Sequence, residues 1–85
     1  MNKFALAALF AAIAAPALAE PACSPGNAVK PVWESIKSFE ENGGKMIAFK
    51  INDGGCYEVY GSVSDKKFEV FFDPNTGAEM ERIEG

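Results

Sequence analysis

Polar and apolar positions alternate along the C-terminal half of the chain, and the clearest run is Lys67-Phe68-Glu69-Val70-Phe71-Phe72. Phe68, Val70 and Phe72 fall on one side of a two-residue period, with Lys67, Glu69 and Phe71 on the other. This predicts a half-buried strand. Asp73-Pro74-Asn75-Thr76-Gly77 stops it. Proline presets φ, aspartate bonds the backbone just ahead, and glycine accepts the left-handed position that turns the chain back, so a hairpin with a four-residue loop is predicted.

The same period places three more strands. Lys45 to Asn52 alternates through Ile47, Phe49 and Ile51. Cys56 to Val63 carries Tyr57, Val59, Gly61 and Val63 on one face, and Ala78 to Ile83 forms a short fourth strand. Between the first two strands, a two-residue loop at Asp53-Gly54 would set Phe49 opposite Glu58 and bring a carboxylate onto the apolar face. A three-residue loop, Asp53-Gly54-Gly55, sets Phe49 opposite Val59 and Ile51 opposite Tyr57, with Gly55 in the left-handed bulge position. The second register keeps the faces consistent and is the one predicted. A loop at Asp65-Lys66 then sets Val59 opposite Phe72 and Gly61 opposite Val70. The inner face holds Ile47, Phe49, Ile51, Tyr57, Val59, Val63, Phe68, Val70 and Phe72. In the fourth strand Met80 and Ile83 have opposite parity, so one of them points outward. Gly61, in mid-strand, marks either a bulge or a close approach by another element.

Ahead of the strands the period changes to that of a helix. Val32, Ile36 and Phe39 recur at i, i+4 and i+7 within Pro31 to Asn42, giving one apolar stripe to cover the sheet. Pro31 suits the first helical turn and Gly43-Gly44 the end. Trp33 lies beside the stripe and is expected to border the core; Lys37 and Glu41 form an exposed i, i+4 pair. The fold predicted is α+β, one helix on a three- to four-stranded antiparallel sheet over residues 31–85, preceded by an irregular Pro/Gly-rich arm over 20–30.

The first 19 residues have a different character. Met1-Asn2-Lys3 is a short basic start, Phe4 to Ala15 an unbroken apolar run, and Pro16-Ala17-Leu18-Ala19 an A-x-A ending. This is the pattern of a secretory signal peptide cleaved after Ala19. The run is short for a membrane span, and Glu20-Pro21-Ala22 before Cys23 lacks the small or aliphatic residues of a lipoprotein signal. The expected location is the periplasm or the extracellular space.

That compartment changes the reading of Cys23 and Cys56, the two cysteines of the chain. In an oxidising space such a pair forms a disulfide. Its loop of roughly 30 residues is worth roughly 3–4 kcal/mol, comparable to the ~3–5 kcal/mol a core of this size supplies. The rival is a redox pair, which lacks the C-x-x-C spacing that lowers a thiol pKa. In the predicted register Cys56 falls on the outer face, so the bridge runs round the sheet end or the strand is bulged there. That face also carries Tyr60 opposite Phe71, an aromatic pair that either stabilises the sheet or forms the candidate partner-binding face.

Charge and composition narrow the chemistry. Loss of Lys3 makes the formal net charge of −4 one unit more negative, and the basic residues are scattered. Nucleic-acid binding and adhesion to an anionic membrane are disfavoured. There is no histidine, which removes the serine–histidine and cysteine–histidine catalytic arrangements and the common haem ligand. Glu79, Glu81 and Glu84 read as a solvated strand edge. Asp73, Asn75 and Glu84 fit positions 1, 3 and 12 of a calcium loop, but Gly77 and Ala78 stand where an oxygen ligand and the turn glycine belong. No catalytic residue, cofactor or metal is expected.

The order of elements, with Asn42-Gly43-Gly44, Tyr57-Glu58-Val59-Tyr60 and above all the Val-x-x-Asp-Pro-x-Thr-Gly pattern from Val70 to Gly77, resembles the PepSY domain in its short secreted form. The resemblance runs from about Pro31 to Ile83. It implies one helix on an antiparallel sheet, a likeness to half of the beta-lactamase inhibitor protein, and kinship with propeptides of secreted metallopeptidases. It supplies no catalytic residue, and the two cysteines are not part of its pattern. The expected function is that of a non-enzymatic, monomeric binding module for a protein partner, such as a secreted peptidase that it inhibits or modulates. The alternatives are a thiol–disulfide component of the envelope and a structural envelope-stress protein without a dedicated ligand.

Overall fold

A computed structural model describes residues 20–85; the leader expected over residues 1–19 lies outside them. The elements follow in the order α1 (Val32–Glu41), β1 (Gly44–Ile51), β2 (Tyr57–Val63), β3 (Lys66–Phe72) and β4 (Glu79–Glu84). The four strands form one antiparallel meander in the order β1-β2-β3-β4, and α1 packs against β1 and β2. The α+β class read from the periods is the one observed.

Pro31 sits one residue outside the helix, as its N-cap with φ −64° and ψ 144°, rather than in the first turn. Its carbonyl accepts the first helical bond, from Glu34 N at 3.1 Å. Gly43 ends the helix with φ +92°, the left-handed position a side chain resists. Phe39 is buried and Val32 and Ile36 pack beside it, as the stripe predicts, but the deepest polar residue is Ser35, one helical turn before Phe39. Trp33 is 59 % exposed and does not border the core. It follows Val32 directly, roughly 100° round the helix from the stripe of Val32, Ile36 and Phe39 that meets the sheet.

The first hairpin has the predicted register. Phe49 faces Val59 and Ile51 faces Tyr57; Asn52 N donates to the Cys56 carbonyl at 2.9 Å, and Gly55 takes φ +85°. The second hairpin is displaced by two residues. Tyr57 faces Phe72, Val59 faces Val70 and Gly61 faces Phe68, because Ser64 and Asp65 make the turn, at φ 50° and 70°. Two successive positive φ values match the right-handed twist of the strands, as in a type I′ turn. A two-residue displacement keeps every side chain on its face. The core is therefore composed largely as predicted: Phe39, Tyr57, Val59, Val70 and Phe72 are buried, with Phe49, Val63 and Phe68 packed against them.

Two predicted core residues are not in it. The β1–β2 register shifts between Met46 and Ala48, leaving Ile47 unpaired and 53 % exposed. Ile51 is 57 % exposed; it ends an edge strand that, among the described residues, has a neighbouring strand on one side only. The third turn forms as expected. Asp73 Oδ1 accepts from Asn75 N at 2.8 Å, Asp73 N donates to the Ala78 carbonyl at 2.9 Å and Gly77 takes φ +79°. In β4, Ile83 points to the outer face opposite Glu69, while Met80 lies at a register shift and is exposed.

Candidate functional site

The stretch from Glu20 to Lys30 forms no helix or strand, yet it is fastened at five places. Asn52 Nδ2 donates to the Pro21 carbonyl at 3.0 Å and to Glu20 Oε1 at 3.3 Å. Cys23 N donates to the Gly54 carbonyl at 2.8 Å. Asn75 joins both sides of the arm, accepting from Gly26 N and donating to the Ser24 carbonyl. Lys30 N donates to the Pro74 carbonyl, and the Lys30 carbonyl accepts from the Tyr57 hydroxyl, each at 2.7 Å. The arm thus crosses the sheet end formed by the β1–β2 and β3–β4 turns. Asn52 is central, since its Oδ1 also accepts from Cys56 N at 2.8 Å and the residue is buried.

Cys23 and Cys56 form a disulfide across 33 residues of sequence. Cys56 is completely buried, a setting that shields a disulfide from thiol attack. The Cys23 sulfur lies 3.2 Å from the Met80 thioether, a sulfur–sulfur contact without a proton to share.

This arm changes the outer face. Cys56, Glu58 and Phe71 share that face, and all three are buried. The expected exposed pair of Tyr60 and Phe71 does not exist. Phe71 faces Glu58 and Glu81, while Tyr60, half-buried, faces Ala48 and Glu69. Phe71 is completely buried on the face of the sheet away from the helix, at the end the arm crosses.

Next to Phe71, the Glu58 carboxylate is held in an unusual setting. It is only 5 % exposed, and its Oε1 accepts no hydrogen bond among the described residues. Lys50 Nζ is 3.9 Å away, close enough for attraction and too far for a hydrogen bond. Burial, with Glu20 and then Glu69 nearby, pushes the Glu58 carboxyl above its ordinary range, against the opposing pull of Lys50. Carboxylate oxygens of Glu20, Glu58 and Glu69 lie within 4.8 Å of one another. A cleft of about 310 Å³ opens alongside, lined by Glu20, Pro21, Ala22, Lys50, Asn52, Asp53 and Gly54. The cluster spans 49 residues of sequence and has no spacing motif; only the register of β2 and β3 and the outer-face position of Cys56 hint at it.

The inner face of β4 is polar. Arg82 lies over the Phe68 ring at 5.4 Å and makes a two-pronged pair with Glu79, at 2.9 and 3.0 Å. That hydrogen-bonded carboxylate strengthens the guanidinium's hold on its proton. A second surface lies on the opposite edge of the sheet. Met46, Ile47 and Ile51 of β1 are exposed, as is Trp33 on the helix that packs against β1.

One helix over a four-stranded meander, closed by the Asp-Pro-Asn-Thr-Gly turn, agrees with a sequence profile that matches residues 3–82. The chain belongs to the peptidase propeptide and YPEB domain family. No curated protein and no solved structure matches the chain significantly. As a PepSY-type domain it belongs to a family of propeptide-like, generally non-catalytic modules.

Proposed function

We propose that this PepSY-type domain is an exported, non-catalytic module that binds a peptidase and holds its activity down. The observation that carries the reading is the family match over residues 3–82 to a domain named for peptidase propeptides. The leader pattern of residues 1–19 supports export, and a chain without histidine supports a binding role over a hydrolytic one.

The surface best suited to the partner is β1. Among the described residues it is an edge strand whose outward N–H and C=O groups have no neighbouring strand, and Met46, Ile47 and Ile51 project exposed apolar side chains from it. An extended segment of the partner adds to such an edge through main-chain hydrogen bonds, with side chains setting the choice of partner. The bulge at Ile47 limits indiscriminate edge pairing and presents that side chain outward. The buried Cys56 and the many bonds of the arm favour a staple over a thiol-exchange device.

The test is to mix the purified protein with a panel of secreted peptidases of the same organism. Complexes are sought by size exclusion, and residual activity is followed on a fluorogenic peptide. One member of the panel should co-elute at a defined ratio and lose activity, and Ile47→Lys should abolish both effects while leaving the circular dichroism spectrum unchanged. A panel with neither complex nor loss of activity refutes the proposal.

A further inference from the structure

Three acidic side chains from three separate parts of the fold converge beside the arm: Glu20 from its start, Glu58 from β2 and Glu69 from β3. Acidic clusters are common on surfaces, and this one differs in one respect. Glu58 is more than nine-tenths buried, and its Oε1 receives no hydrogen bond among the described residues. Leaving a buried carboxylate oxygen without a donor is costly. Lys50 does not remove that cost: its ammonium is 3.9 Å away, and its side chain is 64 % exposed, so water screens the pair.

We propose that Glu20, Glu58 and Glu69 bind one divalent cation of the calcium type, which fastens the N-terminal arm to the outer face of the sheet.

The donor set selects the ion. All three donors are hard carboxylate oxygens, the chain has no histidine and both cysteines are bridged, which excludes the usual zinc and copper sets. Coordination habit separates the remaining ions. Calcium takes about 6–8 oxygens in flexible geometry, whereas magnesium demands a near-ideal octahedron and sheds its water reluctantly. Carboxylate oxygens within 4.8 Å of one another, drawn from an arm and two strands, suit the more adaptable ion. Water from the adjacent cleft completes the coordination, and Lys50, exposed along most of its length, swings aside. The ion would neutralise the mutual repulsion of three carboxylates and supply the partner that Glu58 Oε1 lacks. Because Glu20 begins the arm, occupancy would also tie down the segment whose Pro21 carbonyl lies against Cys56.

The experiment uses the full chain expressed from Met1 and purified in its processed form, with its first residue fixed by mass spectrometry. Calcium chloride and magnesium chloride are titrated separately by calorimetry, alongside thermal unfolding. Expected is one calcium site with a Kd of about 10⁻⁴–10⁻³ M, the range of extracellular modules, a higher unfolding midpoint with calcium, and weaker binding of magnesium. Amide exchange at Cys23, whose N–H bonds the Gly54 carbonyl, should slow when calcium is added. Glu58→Gln and Glu69→Gln should each weaken binding at least about tenfold, and Glu81→Gln, on the same face outside the cluster, should not. If Glu58→Gln fails to fold, Glu69→Gln decides, since Glu69 is less buried. No heat and no midpoint shift up to about 10 mM calcium, equal responses to the two ions, or unchanged binding in Glu69→Gln would each overturn the proposal.

Discussion

The tightest constraint on the fold is at Gly61, and it can be tested by one methyl group. Gly61 is buried in β2, between Met46 and Phe68. A Cβ there would stand 2.6 Å from Phe39 Cε2 and 2.9 Å from Phe39 Cζ, and closer still to the Lys45 carbonyl oxygen. Carbon pairs rest at about 3.5–4.0 Å, so the ring would have to retreat by roughly 1 Å. Phe39 is 2 % exposed and cannot swing out, and the Lys45 oxygen is backbone. Overpacking of this kind costs about 1–3 kcal/mol. Replacing a strand glycine returns about 0.5–1 kcal/mol of backbone entropy. Two obstructions, one of them immobile, put Gly61→Ala near the upper end, a net loss of about 2 kcal/mol. A domain of this length has about 3–10 kcal/mol in all, so the variant loses a sizeable fraction.

Urea unfolding followed by tryptophan fluorescence and circular dichroism gives the number. A loss of about 2 kcal/mol lowers the thermal midpoint by roughly 8–16 °C. The cause is separated by repeating the substitution in a Phe39→Leu background. Removing the ring's far carbons should relieve part of the alanine penalty, and the Lys45 oxygen should preserve the rest, so the two changes are non-additive. A Gly61→Ala protein within about 0.5 kcal/mol of the parent, or strictly additive effects with Phe39→Leu, would refute the claim that the helix seats its ring on this glycine.

Three further outcomes follow from the arm and the buried carboxylate. Replacing both Cys23 and Cys56 by alanine should cost roughly 3–4 kcal/mol by loop entropy, and amide exchange should rise along residues 20–30 and at Phe71; equal stability with and without the bridge would contradict this. Asn52→Ala removes the donor to Pro21 and the acceptor for Cys56 N and should lose about 2–3 kcal/mol, read from the same urea curves; a loss below about 0.5 kcal/mol would show that the arm does not depend on it. Glu58 has its carboxyl raised by burial, so the folded chain holds that proton more tightly than the unfolded one. Its contribution is favourable below the ordinary value of 4.5 and is lost as pH rises through the raised value. In chelator, Glu58→Gln should therefore flatten the stability profile and gain on the parent as pH rises from about 4 to about 8; parallel profiles would refute it.

Much of this was legible from the pattern of residues, and the exceptions have physical causes. The β1–β2 register follows from Asp53-Gly54-Gly55, because one choice of loop buries a carboxylate and the other does not. The β2–β3 register could not be fixed the same way. Ser64 and Asp65 adopt left-handed conformations without a glycine to advertise them, and a displacement of two residues leaves both faces unchanged, so hydrophobic alternation is silent about it. Ile47 reads as core until the bulge beside it is known, and a bulge in an edge strand leaves no composition signal. Trp33 shows the same limit on the helix: an aromatic near the stripe is not on it, and the inward position went to Ser35 instead. The Glu20–Glu58–Glu69 cluster was out of reach because no spacing rule joins residues on an arm and two strands.

Cys56 carries the most consequential signal. Alternation places it on the face away from the helix, and Cys23 must follow it there. A disulfide on that face obliges the preceding chain to cross it, which is what the arm does. Once the arm crosses, Phe71 changes from a surface aromatic to a buried one, and Glu58 from a solvated acid to a buried base. The bridge therefore does more than shorten the unfolded chain: it converts one end of a two-layer fold into three layers and removes that end from the surface open to a partner. The β1 edge with Met46, Ile47 and Ile51 stays accessible, and the proposed partner surface is placed there because the arm that the disulfide holds buries Phe71, half of the other candidate.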